Sequence, residues 1–167
     1  MRMNKLRVFV CFLAAVMTFS LCACGRHEYR DDVPLSTLSE TARGVLSADT
    51  NYLSIDVDYL GDYFQAPDYL LEGTILRADV GNNLDEIGIF HVTGGNASAM
   101  KRLLSDYLAR SYEQNRDWYD SYIPHETPKL RDAEVRVMGN YVAYAVLSPD
   151  RRESFFTSLR EALTASP

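Results

Sequence analysis

Glu134 to Leu147 reads EVRVMGNYVAYAVL, two strand-like runs on either side of Gly139-Asn140. Glycine at the first central place of a two-residue turn suits the primed turns that close antiparallel hairpins, because that place takes a positive φ. In this register Val137 faces Val142 and Val135 faces Tyr144 on one side of the hairpin. Glu134, Arg136 and Met138 fall on the other side with Ala145, Ala143 and Tyr141. One apolar face and one mixed face describe a sheet packed on helices by one side.

The flanks supply the helices and the remaining strands. Downstream, Ser148-Pro149 opens a last helix, proline being preorganised for a first turn, and Phe155, Phe156, Leu159, Ala162 and Leu163 give it a packing face. Upstream lies the longest helix, with Asn96 placed to cap it and Ala97, Met100, Leu103, Leu104, Tyr107 and Leu108 on its apolar side. Running to Tyr122 it spans about 40 Å at roughly 1.5 Å per residue, and Pro124 and Pro128 end it. Tyr69–Ala78 and Glu86–Thr93 read as two strands around a Gly81-Asn82-Asn83 turn. Leu35–Leu46 has the three- and four-residue spacing of an amphipathic helix, while 53–64 fits strand and helix equally. The expected fold is α+β: a small antiparallel sheet of about four strands, packed on one face by the long central helix and by N- and C-terminal helices.

The N-terminus carries an address. Arg2, Lys5 and Arg7 precede an apolar run from Val8 to Leu21, too short for a spanning helix. Leu21-Cys22-Ala23-Cys24 then matches a bacterial lipoprotein signal, with Cys24 the residue to be lipidated. The expected organisation is a signal peptide over 1–23, a lipidated cysteine and polar tether over 24–34, and one domain over 35–167. Cys11 and Cys22 leave with the signal, so the mature domain holds no disulfide. Loss of the three basic residues leaves 14 basic against 23 acidic, a formal charge of −9. Such a balance disfavours nucleic acid and anionic headgroups, which select basic patches. The expected location is the extracytoplasmic face of the cell membrane, with the membrane held through lipid on Cys24 and an envelope protein or glycan as partner.

Catalytic motifs are missing. His125-Glu126-Thr127-Pro128-Lys129 begins like a zinc-protease helix, but its fifth place is lysine and Pro128 blocks helix there. Asp56–Asp62 has the start of a calcium loop without the later ligands, and turn chemistry accounts for Asp79, Asn82, Asn83, Asp85 and Glu86. No cofactor or metal is expected. Eleven tyrosines stand out, several of them near the single tryptophan. Tyr and Trp offer flat apolar area with a polar tip. The candidate binding residues are therefore Tyr112, Trp118, Tyr119, Tyr122 and His125.

Asn83-Leu84-Asp85-Glu86-Ile87, the long helix bearing Arg110, Gly139-Asn140-Tyr141-Val142 and the Tyr63–Leu71 segment carry a resemblance. Together they resemble a family of lipoproteins from clostridia and their relatives that is defined by a domain of unknown function. The resemblance implies an extracytoplasmic lipoprotein and assigns no residue a role. The expectation is a non-enzymatic binding or interaction module at the cell envelope. The alternatives are an envelope hydrolase with a site near His91 or His125, and an accessory subunit of a membrane complex.

Overall fold

The computed structural model describes residues 29–56 and 64–165. The element order is α1 (Leu35–Arg43), β1 (Tyr52–Asp56), β2 (Leu70–Ala78), β3 (Glu86–Val92), α2 (Ala97–Tyr122), α3 (Thr127–Arg131), β4 (Glu134–Met138), β5 (Tyr141–Val146) and α4 (Pro149–Thr164). All pairings are antiparallel, in the order β1-β2-β3-β5-β4. The α+β class and the antiparallel sheet agree with the sequence.

The hairpin register is the one its sequence dictates, with Val137 opposite Val142 and Val135 opposite Tyr144. Gly139 has φ +64°, which a Cβ would strain. Beside it, a side chain would also run into Tyr29, whose Cβ lies 2.9 Å from where a glycine Cβ would stand.

Two features differ from expectation. The sheet has five strands, because the alternating start of 53–64 pairs with β2 as an edge strand. Residues 57–63, including most of the acidic segment weighed as a calcium loop, lie outside the described residues. The sheet is also covered on both faces rather than one. Leu76, Ile87, Ile89, Ala143 and Ala145 pack against α1 and α4, through Leu38, Ala42, Phe155, Phe156 and Leu159. Ile75, Phe90, Val142, Tyr144 and Val146 pack against α2, through Met100, Leu104 and Leu108. The mixed face is closed because Ala143 and Ala145 are small and Arg136 sits over the Phe156 ring, its Cζ 4.2 Å from the centroid. Each large apolar side chain so buried contributes roughly 1.5–3 kcal/mol.

Helix ends carry two further corrections. Asn96 makes no capping bond to α2 and instead donates to Thr93 Oγ1 at 2.8 Å. Pro128 does not exclude helix; it sits in the first turn of α3, where the missing N–H costs nothing. The expected tether is docked from Tyr29 onward. Arg30 N–H donates to the Leu163 carbonyl at 2.9 Å, and the Tyr141 hydroxyl donates to the carbonyl of buried Val33 at 2.7 Å. No described helix is long and apolar enough to cross a membrane.

Candidate functional site

Asp85 immediately precedes the central strand β3 and Glu86 opens it, and the alternation of extended chain sends them to opposite faces. Asp85 is 1% exposed and sits among cations. Lys129 donates to its Oδ1 at 2.8 Å, Arg151 to its Oδ2 at 2.6 Å, and the Tyr52 hydroxyl to Oδ2 at 3.0 Å. Lys129 also pairs with Glu126 at 2.7 Å, and Glu126 accepts the Leu84 N–H at 2.8 Å. Burial works to raise the Asp85 pKa, but Lys129 and Arg151 outweigh it and hold the carboxyl below its ordinary value. This cluster ties β1, β3, α3 and α4 together.

Glu86 faces α2 and finds phenols. Tyr144 donates to Oε1 at 2.6 Å and Tyr107 donates to the same oxygen at 2.9 Å. The carboxyl is held by these two hydroxyls through a single oxygen. Burial raises the Glu86 pKa; the two phenols and the charge of Arg77, its cross-strand partner, pull the other way and lose. Burial, with Glu86 beside it, also drives the Tyr144 hydroxyl well above its usual value. Gly88 permits this geometry. It stands opposite Tyr144, and a Cβ there would overlap the Tyr144 ring and come within 2.7 Å of Phe90.

Glu86 lies at the floor of a cavity of about 610 Å³. The cavity exists because α2 outruns the sheet. Its buried residues stop at Leu108, and the turns beyond overhang the ends of β2, β3 and β5. Arg77 and Leu53 form the sheet side, Ser111, Asn115, Trp118 and Tyr119 the helix side, and the Asp79–Leu84 turn a third wall. A volume of this order is typical of small-molecule sites. Trp118 is 49% exposed at the rim, with the Tyr119 ring edge-on to it at 5.6 Å.

The five residues proposed from sequence separate here. Trp118 and Tyr119 line this cavity. Tyr122 lies outside it, 71% exposed and 5.3 Å from the Trp118 ring. Tyr112 lines a second hollow of about 350 Å³ on another side of α2, and exposed His125 lines neither. His91 is elsewhere, stacked on Tyr141 at 4.3 Å and bonded to Asp31 at 2.9 Å. Sequence reasoning missed Glu86, Arg77 and Tyr144 as a group. The available signal was the alternation of β3, which puts Glu86 on the same face as Phe90 and therefore in the core.

Comparison with known families, curated proteins and solved structures finds no match.

Proposed function

We propose that this chain is a membrane-anchored, extracytoplasmic binding module, non-enzymatic, whose ligand site is the cavity between α2 and the ends of β2 and β3. The observation that carries this reading is a buried carboxyl, Glu86, turned toward an aromatic-rimmed cavity with Oε1 held by two phenols. Holding a group in place before the ligand arrives lowers the ordering cost of binding.

Placement supports it. The N-terminal segment docks at one end of the sheet: Tyr29 packs on the Gly139 turn and Asp31 meets His91 at the end of β3. The cavity is at the other end, where β3 starts and β2 and β5 finish. From Glu86 to His91 is about 17 Å at roughly 3.3 Å per residue. Cys24 precedes Tyr29 by five positions, a span of at most about 18 Å. A lipid on Cys24 therefore keeps the docked end within about 18 Å of the bilayer, with the cavity at the opposite end of the sheet.

His91 does not favour the hydrolase alternative, because its carboxylate partner belongs to the docked N-terminal segment and it lines neither cavity. The test uses the mature chain purified in mild detergent. Wild type is expected to co-sediment with isolated cell walls, and Ser111→Trp, which fills the cavity from α2, to remain in the supernatant. Equal sedimentation of the two overturns the reading, as does hydrolysis of wall material that single-residue variants abolish. In cells, Cys24→Ser is expected to release the protein from membranes; unchanged retention with normal mature mass overturns the anchor.

A further inference from the structure

The cavity's lining is chemically selective. A metal ion is a poor fit: no group of three His, Cys, Asp or Glu among the described residues is arranged to hold one. An acyl chain is a poor fit because Glu86, Arg77, Asp79 and Asn115 would be stripped of water against hydrocarbon. A polyanion is disfavoured by a mature chain with 14 basic and 23 acidic residues.

What remains is a ligand with one flat apolar face and many hydroxyl groups. Trp118 supplies a half-exposed indole at the mouth, and ring faces of this kind take flat apolar surface while leaving polar edges free. Asp79 lines the cavity with a carboxylate, and Asn115 and Asn83 line it with amides, of which Asn115 Nδ2 already donates to the Ser111 carbonyl and Asn83 Oδ1 accepts the Asp85 N–H. The remaining amide oxygen of Asn115, the amide nitrogen of Asn83 and the Asp79 carboxylate supply an acceptor, a donor and a further acceptor for hydroxyl groups. The aromatic surface also continues outward. Tyr119 leads to Trp118 and then to Tyr122, whose ring is inclined 31° to the indole. A succession of rings along one helix suits a chain of sugar rings better than a single one.

We propose that the cavity binds a neutral glycan, one sugar ring seated inside against Trp118 and the next continuing over Tyr122. This deepens the binding-module reading and rests on it. Glu86 then has a defined part. With Oε1 engaged by Tyr107 and Tyr144, the Glu86 carboxyl lines the cavity as a polar group fixed in place for a sugar hydroxyl. It is a recognition group in this role, and no bond in the sugar is broken.

The single tryptophan makes the test direct, since all indole emission comes from Trp118. The detergent-purified mature chain is titrated with glucose, cellotetraose, N-acetylglucosamine, its β-1,4-linked tetramer, and a neutral tetrapeptide. Saturable change in Trp118 emission is expected with at least one tetrasaccharide, about tenfold tighter than with its monomer. By calorimetry, Trp118→Ala and Asn115→Ala are each expected to weaken that binding by roughly three- to tenfold. Tyr122→Ala is expected to weaken the tetramer and leave the monomer unchanged. Circular dichroism checks that each variant is folded. Absence of response to every glycan overturns the proposal, and so does binding that all three substitutions leave intact. If only the tetrapeptide shifts Trp118, the glycan assignment falls while the binding-module reading stands. If glycans fail and Ser111→Trp still sediments with walls like wild type, both fall.

Discussion

Asp85 and Glu86 are neighbours in the chain, yet they occupy opposite electrostatic worlds. Asp85 meets two cations and a phenol and stays ionised; Glu86 meets two phenols on one oxygen and is driven toward its neutral form. Both stand at the start of the central strand, Asp85 just before it and Glu86 as its first residue, and both are nearly inaccessible at 1% and 7% exposure. The difference is what stands opposite. The face toward α4 brings Arg151 and, from α3, Lys129, whereas on the face toward α2 the opposing charge is that of Arg77 across the strand. A carboxyl whose oxygens are both occupied by ion pairs holds the fold together. A carboxyl that lines a cavity and is held there by two phenols is placed for recognition.

The contrast breaks most sharply at Asp85. Asp85→Asn keeps the shape but leaves Lys129 and Arg151, which are 17% and 28% exposed, facing a neutral amide. Breaking a buried ion pair from one side costs about 3–5 kcal/mol, reduced here because Glu126 still holds Lys129. The expected result is a fall of about 3 kcal/mol in unfolding free energy, read as a lower urea midpoint with unchanged slope. Arg151 also donates to the Val45 carbonyl, so the turn after α1 loosens as well. A loss under about 1 kcal/mol would place Asp85 with ordinary surface pairs.

A smaller effect is expected on the other face. Gly88→Ala puts a methyl into the Tyr144 ring and near Phe90. Overpacking of this kind costs about 1–3 kcal/mol, and the ring must move, which takes its hydroxyl from Glu86. The measurement is thermal melting together with near-ultraviolet circular dichroism of the tyrosines. Unchanged melting would mean that Tyr144 has another place to go.

These two carboxyls also show how far the sequence reaches. The hairpin was legible because Gly139-Asn140 and strict alternation determine register with local chemistry alone. Trp118 and Tyr119 were legible because aromatic crowding on a polar helix is conspicuous. Glu86 was not, since in one dimension Asp85-Glu86 reads as two polar residues ending a turn. Its role depends on Tyr107 and Tyr144, separated from it by 21 and 58 positions. The second covered face was hidden for a similar reason: alanines at 143 and 145 look weakly apolar until α4 supplies Phe155 and Phe156. The cavity itself depends on a length mismatch between α2 and the sheet, which no spacing of residues announces.

The smallest effect is the most discriminating, because its sign differs between the two carboxyls. Asp85 has a folded pKa below its ordinary value near 3.9. Its contribution is fully present above that value and is lost as pH falls through the folded pKa. Glu86 has a folded pKa above its ordinary value near 4.3. Its contribution is fully present below that value and is lost as pH rises through the folded pKa. Melting of wild type, Asp85→Asn and Glu86→Gln is therefore measured in steps from pH 3 upward. The gap between wild type and Asp85→Asn is expected to widen as pH rises through the acid range and then hold level. The gap between wild type and Glu86→Gln is expected to move against wild type from about pH 4.3 upward, because glutamine has no proton to lose. Parallel curves for the two variants would mean that Glu86 is ionised in the fold. An anionic floor would then select a ligand donor where a neutral acid selects an acceptor, and the chemistry assigned to the cavity would invert.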